Sequence, residues 1–402
     1  MDHPRSNMYE EEQSPSSIWT GYPAPYTYTG YVNNPDCLLE LSALEKALSP
    51  NNVVETASSR CSSLDRDSNP EHVEIGNGSQ GVVFEQSDSP LVIKKEHVGN
   101  GGLPTNLGHE FWIHGQVLGA FDQYERSVDS RIRVPQLGAK YNRNCSWWLW
   151  NIGRFPVMHR TPSAAFTMER ILPVPISGRR ALVWHFYPRH ERMPLSEATI
   201  NDVLNSVPNK HCLVRPYLGM PGGTYYEGKE LFLRNFPLFV NSMVGIGLDV
   251  VALAKSIGRA FATMHWGAGV DGNGVEFVLG TSMLRDQARD PRDRTEGNQE
   301  RVVSLFMLDF GKCAKVEMRG DVETIYQAFS DAMITGDNLF YIPYYREHRA
   351  ELYTAFKEAY ARAAGMILEV RKVTDNDRLW LRRLDVREFM KRYEAEAEDV
   401  LI

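Results

Sequence analysis

Paired cysteines are missing from this chain of 402 residues. Cys37, Cys61, Cys145, Cys212 and Cys313 stand far apart with no C-x-x-C step. That excludes a zinc module and a disulfide framework, and it reads as reduced thiols in an intracellular protein, cytoplasmic or nuclear. Long apolar runs are missing too. No uncharged stretch approaches the roughly eighteen residues a membrane span needs, and Met1 to Glu12 lacks the apolar segment of a secretion signal. The third absence is an excess of positive charge. Lys and Arg number 44 against 51 Asp and Glu, a net charge of -7, so no overall basic field exists to hold a nucleic-acid backbone. The expectation is no zinc, no nucleic acid and no membrane.

What remains is 43% hydrophobic residues, enough for one large core or two smaller ones. Residues 1–70 are rich in Ser, Pro, Asn, Tyr and acids, which predicts a disordered tail. Within it, Leu38, Leu39, Leu41, Leu44 and Leu48 recur at helical spacing, predicting a short amphipathic helix over 36–48 that docks on the main domain or on a partner. From Val73 the pattern turns to short β runs, with Val82 to Phe84 and Leu91 to Lys95 as a hairpin, then a helix over Leu107 to Phe121. Strands follow at Arg133 to Tyr141 and Ala165 to Ile171. The rest reads mostly as helices, interrupted over 281–301 by a charged run expected to be an exposed loop between two strands. The expected fold class is α+β, with a β-rich part at 71–171 and a mainly helical part at 172–402. Trp147, Trp148 and Trp150 read as packing or loop anchors.

Four motifs carry chemistry. Gly76, Gly78 and Gly81 form G-x-G-x-x-G, where a backbone without Cβ atoms can lie close over phosphates. Because a strand follows these glycines, the dinucleotide version of the motif, which feeds a helix, is disfavoured. Lys94 ends the apolar run Val92-Ile93 and is placed to contact phosphates, while Lys95 faces the other way by strand alternation. Glu110, in the following helix, is the expected partner of Lys94. Met168, Glu169 and Ile171 end an apolar strand that runs into a turn marked by Pro173 and Pro175. Lastly, Asp271 and Glu276 stand in D-x-x-x-x-E, and Asp309-Phe310-Gly311 closes an apolar strand with a carboxylate suited to Mg2+.

Taken in this order, these residues resemble the protein-kinase-like superfamily over about Val73 to Gly311. The resemblance implies a two-lobed fold, β-rich N-lobe before helical C-lobe, binding ATP and Mg2+. It implies Asp271 as the catalytic base, Glu276 and Asp309 as metal ligands, and Gly76, Gly78, Gly81, Lys94, Glu110, Met168, Glu169 and Ile171 around the nucleotide. Three departures stand out. Gly269-Val270 replaces the usual residues before the aspartate, Glu276 replaces an asparagine, and no A-P-E segment follows Gly311. The compact layout resembles small-molecule kinases of the aminoglycoside and choline type. Separately, Leu233 to Leu238, Met264-His265-Trp266 and Val275 to Gly280 resemble a fungal family of unknown function sometimes labelled zinc-finger-like, which implies a fungal source. Two functions compete: a phosphotransferase on a small-molecule hydroxyl acceptor, or a pseudokinase-like scaffold that meets a protein partner through 36–48 or 281–301.

Overall fold

The computed structural model describes residues 35–56, 71–86, 89–97, 106–187, 195–220, 231–283, 299–343, 350–374 and 379–400. Within the expected tail, the helix expected over 36–48 is present and docks on the main domain. Helix α1 (Pro35–Leu48) buries Leu44, Ala47 and Leu48, three positions that its leucine spacing places on one face. Strand β1 (Val53–Thr56) then joins a sheet. Residues 1–34 and 57–70 of the expected tail lie outside the described residues.

The first sheet is antiparallel. It contains β2 (His72–Gly78), β3 (Gly81–Gln86) and β4 (Leu91–Lys95), and helix α2 (Leu107–Val128) follows. The expected strand Arg133 to Tyr141 is two strands. β5 (Ile132–Arg133) pairs with the second sheet and β6 (Leu137–Tyr141) with the first. The break falls at Pro135, which has no N–H to donate to a ladder. Short helix α3 (Trp147–Asn151) precedes β7 (Ala165–Glu169), and the order across the sheet is β2-β3-β4-β7-β6.

Helices α4 (Ile176–Phe186) and α5 (Glu197–Asn205) lead into β8 (Val214–Tyr217) and β9 (Phe236–Phe239). α1 packs on α4 closely, because a Cβ on Gly178 would lie 2.5 Å from the Ala47 Cβ. After α6 (Val240–Ile246) and α7 (Val250–Ala262), a π-helical turn (Thr263–Ala268) ends at Gly269. β10 (Glu276–Met283) and β11 (Gln299–Leu308) form a long hairpin. The second sheet runs β1-β11-β10-β8-β9, with β5 also on β11. Thr281 to Met283 and Gln299 to Arg301, expected within the charged loop, are therefore strand, while 284–298 lie outside the described residues. The region after 172 is thus not purely helical, since it brings four strands of its own.

Helices α8 (Val322–Met333), α9 (Asn338–Tyr341), α10 (Ala350–Thr374) and α11 (Val386–Val400) complete the chain. One large core joins α1, α2, the second sheet and these helices, whereas the first sheet has its own small core of Val82, Phe84, Ile93, Trp148, Phe155 and Ala165. α2 gives Ile113, Val117, Ala120 and Tyr124 to the large core while Glu110 reaches the first sheet. The helix therefore carries Glu110 to the boundary between the two cores.

Among the described residues no helix is long and apolar enough to cross a membrane. The architecture is mixed α and β with two separate sheets.

Candidate functional site

The site forms where the first sheet, α2 and the end of β11 meet. Strand alternation sends the neighbours Lys94 and Lys95 to opposite faces of β4. Lys95 donates to Ser163 Oγ at 2.9 Å and sits over the Trp148 ring, and burial lowers its pKa to about 8. Lys94 Nζ instead lies 2.5 Å from Glu110 Oε1 and 3.2 Å from Asp309 Oδ1. Burial pulls the Lys94 ammonium down, but the two carboxylates more than offset it and hold its pKa above that of an ordinary lysine. Burial pushes Glu110 up, opposed by Lys94. Of the three side chains, Lys94 is 9% exposed, Glu110 3% and Asp309 33%, so Asp309 is the member open to a further ligand.

Asp309 adopts φ of 63°, a left-handed conformation that few residues other than glycine tolerate. It places the carboxylate at Lys94 directly after the buried strand. Phe310 is fully buried beside His114, with ring centroids 4.8 Å apart. A Cβ on Gly311 would lie 2.6 Å from Gln80 Cγ and 3.3 Å from Glu110 Oε2, so Gln80 of the glycine turn converges with Glu110 on this glycine. That Glu110 oxygen is buried without a hydrogen-bond partner.

The glycine turn joins β2 to β3. Gly81 has no room for a side chain, because its Cβ would stand 2.4 Å from the Lys95 carbonyl oxygen. Gly76 pairs across the hairpin with Val83, and Gly78 offers its carbonyl to His97 Nε2 at 2.7 Å.

Asp271 follows the π-helical turn in a loop where Gly272 and Gly274 take φ of 75° and 66°, conformations that select glycine. Its Oδ1 accepts from Ala314 N–H at 2.8 Å and from Asn273 N–H at 3.1 Å. Burial raises the pKa of this carboxyl, and those hydrogen bonds oppose the rise. The Asp271 carbonyl accepts from His265 Nε2–H at 3.0 Å. With Nε2 protonated, His265 Nδ1 accepts from Tyr360 O–H at 2.7 Å, and the Tyr360 oxygen in turn accepts from Trp266 Nε1–H at 2.8 Å. A buried relay from the helix thus holds the backbone of Asp271.

Glu276 departs from the expected metal ligand. Both of its oxygens accept from Arg215 Nη2, at 2.6 and 2.7 Å. Burial raises its pKa and Arg215 opposes this, with Asp309, Asp337 and Lys94 also within electrostatic range. Among the described residues no group of three or more His, Cys, Asp or Glu side chains is arranged to hold a metal ion.

At the strand end, Met168 pairs with Val92 and Leu137 across the ladders. The Glu169 carboxylate takes Arg133 at 2.8 Å and Gln136 N–H at 3.2 Å. Arg170 N–H donates to the Pro90 carbonyl and Leu172 N–H to that of Thr281, while among the described residues nothing accepts from the Ile171 N–H between them.

The structure therefore brings Lys94, Glu110 and Asp309 into contact, with Gly81 against the same strand. It sets Asp271 beyond Cys313, whose thiol feels Asp271, Asp309 and Glu110 and is raised well above its ordinary pKa, first by burial. Sequence reasoning missed Arg215, Gln80, Tyr360 and the role of His265. Arg215 had a signal, a charge inside the apolar run Leu213 to Leu218. Tyr360 had none, because its partners lie about ninety residues away. No family model matches the chain, and no curated protein matches it.

Proposed function

We propose that this is a protein-kinase-like nucleotide-binding protein that transfers phosphate from ATP to a small hydroxyl compound. One observation carries the reading: Lys94, Glu110 and Asp309, drawn from three distant elements, meet beneath the glycine turn. In this reading the first sheet is the N-lobe and the rest of the chain the C-lobe.

The ammonium of Lys94 takes the phosphate oxygens, and Glu110 keeps it aimed. Asp309, the exposed carboxylate, fits Mg2+, an ion that neutralises phosphate charge when bound. Glu276, the other expected ligand, would share its oxygens with Arg215, which competes with the ion for them. Asp271 accepts the proton of the acceptor hydroxyl through Oδ2, since Oδ1 is engaged by two backbone N–H groups. Ile171 N–H and the Glu169 carbonyl meet the adenine edge.

The Arg215–Glu276 pair favours a second reading, a scaffold that keeps the nucleotide cleft without turnover. Its expected contact through 36–48 is weakened, because Leu44, Ala47 and Leu48 are already buried against the body of the protein.

Thermal unfolding of the full chain with and without MgATP tests both, because a ligand of the native state raises its stability. The expected result is a Mg2+-dependent rise lost in Lys94→Ala and Asp309→Asn, with ATP turnover lost in Asp271→Asn. A rise without turnover selects the scaffold. No rise in the folded wild type rejects nucleotide binding altogether.

A further inference from the structure

A second feature lies apart from the cleft, on the short helical turns between β6 and β7. Leu149, Trp150, Val157 and Met158 are 77%, 79%, 79% and 81% exposed. Among the large exposed apolar side chains of the described residues, these are the ones that come as adjacent pairs. Elsewhere they stand singly, which is ordinary for a soluble surface.

The two pairs emerge at one place. Leu149 and Trp150 follow the buried Trp148, and Val157 and Met158 follow the buried Phe155 by two residues, while the Trp148 and Phe155 rings are 5.7 Å apart. Both anchors belong to the small core of the first sheet. Trp147 adds a third anchor by stacking on Tyr141 at 4.2 Å. The aromatic run thus divides its labour: Trp147 and Trp148 hold the segment, and Trp150 is turned outward.

Charge along this segment of the chain is one-sided. From Ser130 to Met168 the chain has no Asp or Glu and six Lys or Arg residues, in a protein of net charge -7. Arg131 and Arg133 are engaged with Asp129 and Glu169, whereas Arg143 and Arg160 are exposed on the same segment, with Arg160 Nε held by the Phe155 carbonyl at 2.8 Å. The nearby acid Glu74 on β2 is 3.3 Å from His159.

We infer that this knob docks the protein on an anionic lipid surface. Side chains about four-fifths exposed project outward and do not line a groove, a shape that enters the loosely packed boundary of a bilayer. Flanking arginines meet the negative headgroups. Trp150 matches the interface, with an apolar body and one N–H. Such contact needs no spanning helix, so the lack of one has no bearing on it.

The test is sedimentation of the full chain with vesicles of phosphatidylcholine alone or mixed with phosphatidylserine. The protein is expected to pellet with the phosphatidylserine vesicles only, and to be released by salt. Trp150→Ser with Met158→Ser should abolish pelleting, and Arg143→Glu should weaken it about tenfold. All three substitutions change exposed side chains, so unchanged melting temperatures establish that the variants are folded. Wild type that stays in the supernatant overturns the proposal and returns the patch to an acidic protein partner. Pelleting equally strong in the Trp150→Ser, Met158→Ser variant overturns it as well.

Discussion

Replacing Tyr360 with phenylalanine removes one oxygen from a site where every neighbour depends on it. The ring of Tyr360 is fully buried, and its hydroxyl both donates to His265 Nδ1 and accepts from Trp266 Nε1–H. Phenylalanine fills the same volume, so no cavity term arises. Two buried polar atoms lose their partner where water cannot reach them, each costing about 1–3 kcal/mol. The expected loss is therefore about 2–6 kcal/mol, read by urea denaturation at neutral pH. Adding Trp266→Phe removes the stranded donor and leaves only the His265 acceptor, so the double variant should lose less than the sum of the two single losses. In the proposed reading Asp271 is the base and His265 supports its carbonyl, so ATP turnover should fall along with stability. A loss below about 0.5 kcal/mol, within the range of surface substitutions, would show that this relay does not exist.

Arg215→Met strands the buried Glu276 carboxylate and should cost about 3–5 kcal/mol in chemical denaturation, whereas Arg215→Met with Glu276→Leu should recover most of it. A neutral single variant would mean that the pair is not formed. Leu48→Ala should cost about 3 kcal/mol, because Leu48 is fully buried at the end of α1; a melting temperature equal to wild type would mean that α1 is detached. Acid should destabilise the fold well before its carboxylates titrate. Burial lowers His265 to about 3 and His114 to about 4, below the usual value near 6.5, so the unfolded chain binds more protons between these limits. Stability is then complete above pH 6.5 and falls as pH drops toward 4, by about 3 kcal/mol for each of these two histidines. A melting temperature flat from pH 7 to pH 5 would contradict this assignment.

Much of the local architecture was legible from residue pattern. Apolar alternation located β3 and β4, and helical spacing located α2. Strand alternation separated Lys94 from Lys95, since that choice depends only on which face a side chain takes. Leucine spacing also located α1 over 36–48, but composition read the rest of 1–70 as tail and so missed β1, whose partner β11 lies far along the chain. The strand expected over 133–141 failed for a similar reason, since a proline shows where a ladder breaks but not that the two pieces join different sheets.

The site divides along the same line. Glu110 and Asp309 could be nominated because each stands at a definite step of a helix or strand, and a short-range pattern fixes such steps. Glu276 was nominated by spacing as well, yet its chemistry was set by Arg215 from another strand, and no spacing rule reaches across a sheet. The sequence by itself determined which residue types lie on which faces, because backbone periodicity decides that within a few residues. Only the tertiary structure decided which charges meet and which atoms lose water, because Coulomb energy and desolvation depend on distance and burial in space.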